Sequence, residues 1–295
     1  MPSLKDIRRR IASVKNTQQI TKAMKMIAAV KLRKAQDQIL AARPYAHALI
    51  GVISNLSLHG EGRHHPLLIQ RRPNRVRLIV VTSDRGLCGS YNGSIIRKTE
   101  RFLQEKKEAF RELKISFVGR KGYEHFKKRL PSHIPSYIID KFYPDVISRP
   151  SFEKAATLAN EAMEEFLQGR LDHVYFVYNE FKSALTQKVI VETLLPAHPT
   201  QDMPAGFQRV DYLYEPSRRE VLGALLPKHI RIQVYRILLE AVSSEHGARM
   251  TAMDSATSNA GEMISKLTLQ ANRVRQAAIT TELMEIVSGA EALKA

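Results

Sequence analysis

The stretch most suggestive of chemistry is the glycine-rich segment SDRGLCGSYNGS, which begins at Ser83 directly after an apolar run. A turn of this kind between a strand and a helix can cradle a phosphate with its backbone N–H groups. The segment contains neither G-x-G-x-x-G nor G-x-x-x-x-G-K-[ST], and no lysine is placed to reach a β-phosphate. We therefore expect a structural loop, in which Gly86, Gly89 and Gly93 allow unusual backbone dihedral angles.

Other potentially reactive side chains also lack the neighbours that chemistry requires. Cys88 is the only cysteine, which excludes an intramolecular disulfide, and no base is implied by its spacing, so we expect a buried, inert thiol. The ten histidines are scattered without metal-ligand spacing. The acidic group Glu161, Glu164 and Glu165 fits the solvated side of an amphipathic helix. These searches predict no catalytic residue, no cofactor and no metal site.

The two ends of the chain have the sequence pattern of very long helices, from Ser3 to about Ser57 and from Ser217 to about Ser288. Isolated helices gain little stability from propensity alone, so each end needs a partner, and we predict that they pair as an antiparallel coiled coil. Ser217 and Glu220 predict a capped start for the second helix. The predicted seam of the first helix includes Ile7, Ile11, Val14, Ile20, Met24 and Ile27, and that of the second includes Ala248, Ala252, Ala256, Asn259 and Met263.

Strand-like and helical segments alternate between the two long helices. The predicted strands are RVRLIVV, LKISFV, HIPSYII, HVYFVYN and QKVIVETLL, and the clearest helix runs from Ser151 to Gly169. This alternation predicts a mostly parallel sheet with covered faces, and the last two strands predict an antiparallel edge hairpin. The fold class is therefore α/β, with an N-terminal coiled-coil helix over 1–58, a central Rossmann-like α/β domain over 59–210 and a C-terminal coiled-coil helix over 211–295.

The formal net charge is +17, and eleven basic but only two acidic residues lie between Met1 and Arg43. Such a field predicts an acidic partner, which could be nucleic acid, an anionic membrane or an acidic protein cavity. No apolar run reaches the ~18 residues of a spanning helix, so we expect no direct membrane insertion. No signal-peptide pattern follows the start, and we expect the first helix to belong to the mature protein.

Three segments in order give the chain its resemblance to a known family. They are IRRRIASVKNTQQITKAMKMIAAVKLRKAQ from Ile7, SDRGLCGSYN from Ser83 and ITTELMEIVSGAEA from Ile279. Over essentially its whole length the chain resembles the gamma subunit of F-type ATP synthases. The resemblance implies a rotor shaft that catalyses nothing, stands inside a hexamer of alpha and beta subunits, and couples proton or sodium flow to ATP synthesis.

The resemblance also implies contact residues and a location. Arg275 and Gln276 match a polar pair that would bind a catalytic-subunit loop, and Met24 with Lys31, Arg33 and Lys34 match the region that would meet acidic loops of those subunits. Tyr212, Tyr214 and Glu215 match the region that would contact the membrane c-ring and the epsilon subunit. The expected location is the cytoplasmic face of a bacterial inner membrane, as a peripheral part of the complex.

Two other classes of protein fit parts of the sequence. A basic coiled-coil protein that binds nucleic acid predicts aromatic residues among the basic ones, yet there is no aromatic residue between Met1 and Arg43. A nucleotide-dependent α/β enzyme with helical arms predicts a phosphate-binding loop, which the segment after Ser83 does not supply. Co-purification with three copies each of two nucleotide-binding subunits would separate the rotor from both alternatives.

Overall fold

The computed structural model describes residues 3–58, 65–106, 109–128, 137–184, 186–198 and 213–292. The chain forms two compact units, one made of Met1–Ala28 with Met250–Ala295 and the other of Ala29–Arg249. Two long helices, α1 (Leu4–Leu58) and α5 (Arg218–Ala292), contribute to both units. Each unit is described by itself below.

The larger unit is built on a five-stranded sheet in the order β3-β2-β1-β4-β5. The strands are β1 (Arg75–Val81), β2 (Glu112–Val118), β3 (Tyr137–Tyr143), β4 (His173–Phe181) and β5 (Gln187–Leu195). The first four pair in parallel and β5 pairs antiparallel with β4, which confirms the predicted sheet and edge hairpin. Because β1 lies in the middle of the sheet, six of its seven residues are buried, as expected for a strand covered on both faces.

Helices cover both faces of this sheet. On one face, α2 (Tyr91–Glu105) and α3 (Arg120–Lys128) enclose a cluster that includes Ile95, Phe117 and Phe126. On the other, α4 (Phe152–Leu167) shares a cluster with residues of α1 and α5, among them Ile53 and Ile237. The predicted caps of α4 are present: the Ser151 hydroxyl accepts the N–H of Lys154, and Gly169 has a φ of 70°.

In the smaller unit, α1 and α5 run antiparallel. Thr21 Oγ1 lies 2.8 Å from Thr257 Oγ1, and Lys25 Nζ lies 2.6 Å from Asp254 Oδ1, so residue numbers rise along α1 as they fall along α5. Gln18 adds a hydrogen bond from its side-chain amide to the carbonyl of Thr257. The buried seam residues of this unit are Ile7, Thr21 and Ala28 on α1, and Met253, Ala260 and Ala271 on α5.

The predicted positions within the seam were partly wrong. Ile20 is 60% exposed, Ile27 is 57% exposed and Met263 is 51% exposed, and Asn259 is also exposed. The prediction followed the largest apolar side chains and jumped six residues from Val14 to Ile20, which breaks the alternation of four and three. The regular alternation continues from Val14 through Gln18, Thr21, Lys25 and Ala28, so it places small and polar residues against α5 and turns the large isoleucines outward.

The start of α5 agrees with the prediction. The hydroxyl oxygen of Ser217 accepts the N–H of Glu220 at 3.2 Å, and the same hydroxyl donates to the Glu220 carboxylate at 3.1 Å. This reciprocal pair satisfies one of the N–H groups that every helix leaves free at its start.

Candidate functional site

The end of α5 from Arg275 to Gly289, here called the tip, has every side chain exposed. Thr21 lies opposite Thr257, so Leu4 at the described start of α1 lies opposite about Val274, and α5 continues beyond it to Ala292. That extension measures about 27 Å at ~1.5 Å per residue. A lone helix of this length gains little stability in water from helix propensity alone.

The tip is amphipathic. Its large exposed apolar side chains are Ile279, Leu283, Met284, Ile286 and Val287. At 3.6 residues per turn they fall within an arc of roughly 160°. Residues such as Thr281 and Glu285 occupy the other side of the helix. An exposed apolar face of this kind is typical of a surface that binds another protein.

Arg275 and Gln276, predicted to bind a catalytic subunit, lie at the base of the tip and are both exposed. Among the described residues, none forms an ion pair with Arg275. A guanidinium group without an internal partner can offer its donors to a carboxylate of another chain.

On α1, the residues predicted to meet the catalytic subunits fall in both units. Met24, in the smaller unit, is half-buried, and it lies between the exposed side chains of Ile20 and Ile27. The spacing of seven residues between Ile20 and Ile27 places them on the same side of α1, so they form an apolar face that sequence reasoning had assigned to the seam. Strict counting of the four-and-three alternation from Val14 would have found it.

Lys31, Arg33 and Lys34, here called the neck bases, are all exposed on α1 within the larger unit. The positive field near them acts on α5: burial first, then the charges of Arg249 and Lys31, lower the pKa of His246 to about 4. The neutral imidazole accepts a hydrogen bond from Arg249 at 3.2 Å. The three exposed basic side chains of the neck bases, within four positions of α1, make this stretch cationic and suited to an acidic partner.

The residues predicted to contact the ring and the epsilon subunit lie just before α5. Tyr214 is half-buried against the core of the larger unit, and the guanidinium carbon of Arg218 lies 5.5 Å from the centre of its ring. Glu215 is exposed. Tyr212 lies outside the described residues.

The loop after β1 is closed by its own side chains. Asn92 accepts the N–H of Ser83 at 3.0 Å and donates to the sulfur of Cys88 at 3.2 Å. Gly89 has the expected positive φ of 56°, whereas the other residue of the loop with positive φ is Leu87, and Gly93 is part of α2. The prediction for Gly86 and Gly93 was therefore wrong, because asparagine hydrogen bonds and Leu87 shape the turn instead.

Cys88 is buried in this loop, as predicted. Burial is the main cause that raises the pKa of its thiol, and a neutral thiol is a poor nucleophile. Within the described parts of the chain, no group of three or more histidine, cysteine or acidic side chains could hold a metal ion.

The prediction for the acidic residues of α4 was wrong for two of the three. Glu165 binds the guanidinium group of Arg77 at 2.8 Å, and Glu161 accepts hydrogen bonds from Lys141 at 2.9 Å and Tyr143 at 2.7 Å. Arg77 projects from β1 and is completely enclosed. Only Glu164 is fully exposed. Glu165 is drawn inward by the buried Arg77 and Glu161 by Lys141 and Tyr143, partners that the helix pattern alone does not reveal.

Comparison with known proteins matches a family model described as ATP synthase over residues 3–293. The chain is 52% identical to the ATP synthase gamma chain of Geobacter metallireducens and 51% identical to that of Anaeromyxobacter dehalogenans, in each case over the whole of both chains. The chain belongs to the ATP synthase gamma chain family. The predicted family is thereby confirmed, and nothing in these matches supports a nucleic-acid-binding protein.

Solved structures give the same fold. The central stalk of the Tetrahymena thermophila mitochondrial ATP synthase is 28% identical, with a TM-score of 0.60, over 80% of this chain and 99% of that chain. The rotor of the Euglena gracilis mitochondrial ATP synthase, at 20% identity and a TM-score of 0.62, covers 94% of this chain and 98% of that chain and shows the fold alone. The predicted fold class is confirmed. No helix in the described ranges combines the length and apolarity needed to cross a bilayer.

Proposed function

We propose that this chain is the central rotor shaft of a bacterial F-type ATP synthase and that it catalyses no reaction itself. The observation that carries the proposal is the full-length match to gamma chains, together with a tip whose apolar face has no partner within the described chain. Ion flow through the membrane c-ring would turn the shaft. The shaft would then change the conformation of catalytic sites in the alpha and beta subunits.

Coupling of this kind requires that the shaft contact the catalytic subunits differently at different angles. The tip meets that requirement because one side is apolar and the other is polar. As it turns, each catalytic subunit would face first one side and then the other. Arg275 and Gln276 at the base of the tip would add a charged contact that only one subunit can receive at a time.

The neck bases would provide a second contact, with acidic loops of the catalytic subunits. Lys31, Arg33 and Lys34 are exposed, so their loss removes charge without removing core packing. Ile20 and Ile27, with Met24 between them, would offer the same subunits an apolar surface. We assign these positions to the hexamer contact.

Tyr214 and Glu215, with Tyr212, would contact the c-ring and the epsilon subunit from the larger unit. Residues 59–210 would form the domain that binds the ring, and residues 1–58 and 211–295 would form the shaft. The complex would place this chain on the cytoplasmic face of the inner membrane as a peripheral subunit.

The test compares coupling with folding in the assembled complex. Replacing Lys31, Arg33 and Lys34 by alanine should lower the number of protons pumped per ATP hydrolysed while leaving the thermal unfolding of the isolated chain unchanged. The matched control removes three exposed charges from the α2 region, at Arg97, Arg101 and Lys106, and should leave pumping intact. Equal loss in both variants, or failure of the wild-type chain to co-purify with two nucleotide-binding subunits, would contradict the proposal.

A further inference from the structure

The segment Ala241–Arg249 of α5, here called the seat, begins with a stretch that is enclosed on all sides. Its first five residues, Ala241 to Glu245, are all buried, with exposed fractions of 0, 4, 0, 0 and 6%. Five consecutive residues cover more than one full turn of a helix. No side of the helix at this level therefore faces solvent.

One side of the seat lies against the β4–β5 hairpin. The Ser244 hydroxyl donates a hydrogen bond to the carbonyl of Asn179 at 3.0 Å. Gly247 lies so close to the hairpin that a Cβ atom on it would come within 3.3 Å of the Cα atom of Ala184. Only a residue without a side chain fits there without moving the hairpin.

The other side of the seat lies against the loop after β1 and the start of α2. The Tyr91 hydroxyl, fully buried, donates to the carbonyl of Ala241 at 3.1 Å. Arg249 donates to the carbonyl of Gly86 at 3.2 Å, and Glu245 holds the same guanidinium group at 2.7 Å. Tyr91 donates to α5 and Arg249 donates from it, so two directional hydrogen bonds join α5 to the α/β fold on this side.

The four contacts are spread around the helix. At 3.6 residues per turn, positions 247, 244, 241 and 249 span an arc of roughly 200°. Contacts over more than half of the circumference oppose rotation of α5 about its own axis in both directions. Apolar packing around Val234 and Ile237 stabilises the same helix, but the hydrophobic effect is not directional and resists separation more than rotation.

We propose that the seat is the element that transmits torque between the α/β fold and α5, with Tyr91, Ser244, Gly247 and Arg249 as positioning residues. This inference rests on the proposed rotor function and adds to it the place where torque passes between the α/β fold and α5. Replacing Gly247 should weaken the contacts between the seat and the α/β fold without changing any surface proposed to meet the catalytic subunits.

The experiment measures torsional stiffness in the assembled complex. The hexamer is fixed to a surface, the tip is locked by a disulfide from Gln276→Cys to a catalytic subunit, and a bead is attached through Arg101→Cys, a position that is 73% exposed. The native Cys88 is buried and does not compete for the label. The variance of the bead angle is inversely proportional to the stiffness between lock and bead.

In Gly247→Leu the leucine pushes the hairpin away, so two of the four contacts are lost and the angular variance should rise about twofold. The matched control is Gly223→Leu, another glycine inside α5, whose Cβ position has no atom nearer than 4.0 Å. This control should leave the variance at the wild-type value. Unloaded ATP hydrolysis, measured before locking, should be the same in all three complexes.

Equal variance in Gly247→Leu and Gly223→Leu would overturn the inference while leaving the rotor function standing. If Gly247→Leu does not assemble, the double variant Tyr91→Phe with Ser244→Ala tests the inference instead, and its loss of both hydroxyl groups should raise the angular variance. Tyr91→Phe with Ser244→Thr keeps one hydroxyl group and should restore part of the stiffness. Normal ATP hydrolysis with the tip locked, in a complex that carries Gln276→Cys and an unchanged seat, would instead contradict the proposed function itself.

Discussion

Ile27 and Ala28 are neighbours in the sequence, but they should respond to mutation in opposite ways. Ile27 is 57% exposed on α1 and Ala28 is 1% exposed in the seam. Ile27→Ala removes a side chain that is less than half buried, which costs about 1 kcal/mol of burial. Because alanine has the better helix propensity by several tenths of a kcal/mol, the net cost should be about 0.5 kcal/mol.

Ala28→Leu adds three carbon atoms where the seam has no space for them, so it should destabilise the pairing of α1 with α5 by about 1–3 kcal/mol. The assay is amide hydrogen exchange over residues 18–28 in the isolated chain, read by mass spectrometry. It measures the free energy of local opening and does not require the whole chain to unfold in one step.

In a binding assay with the catalytic hexamer, Ile27→Ala should have the larger effect of the two variants, the opposite of their ranking by local stability. Ile27→Ala should weaken binding to the catalytic hexamer, because it removes part of the proposed apolar contact, although it barely affects local opening. If Ile27→Ala lowered the opening free energy by more than about 2 kcal/mol while Ala28→Leu left it unchanged, our assignment of the seam would be refuted.

Three further outcomes are expected. Arg77→Met should cost about 3 kcal/mol in urea unfolding at pH 7, because it removes the buried guanidinium partner of the half-buried Glu165, whereas Lys25→Met breaks an exposed pair and should cost under about 1 kcal/mol. Burial raises the pKa of Glu165, but the hydrogen bond and charge of Arg77 lower it by more, so this pKa lies below 4.5. The stability that Arg77 contributes through this pair is therefore present at neutral pH and is lost as the pH falls through the lowered pKa. The cost of Arg77→Met should accordingly shrink below about pH 4. Cys88 should resist alkylation in the folded chain and react fully in urea. Tyr214→Ala with Glu215→Ala should reduce retention of the chain on membranes that carry the c-ring, and normal retention would count against that contact.

Much of the fold could be predicted because the relevant signals are local. β1 ends in the apolar run Leu78–Val81, and α4 carries a serine cap at one end and a glycine at the other. The pattern of two long terminal helices led to the antiparallel pairing that the smaller unit contains. The strand and helix signals come from residues within a few positions of each other, and the pairing was inferred from the lengths of the two helices.

The remaining features depend on contacts between distant residues or on apolar side chains that stay exposed. Arg77 and Glu165 are 88 residues apart, so the buried ion pair cannot be read from the pattern of α4 alone. Ile20 and Ile27 misled the seam assignment because exposed apolar side chains have the same sequence character as core residues. The contact at Gly247 was missed because a glycine inside a helix gives no indication of what lies beside it.

The most direct test of the rotor account is to watch the chain turn. With the catalytic hexamer fixed and a bead on Arg101→Cys, addition of ATP should drive rotation in one direction, and a reversible disulfide from Gln276→Cys to a catalytic subunit should stop rotation and hydrolysis together. Continued ATP hydrolysis with a stationary bead, or undiminished hydrolysis with the disulfide formed, would contradict the claim that this chain is the rotating shaft.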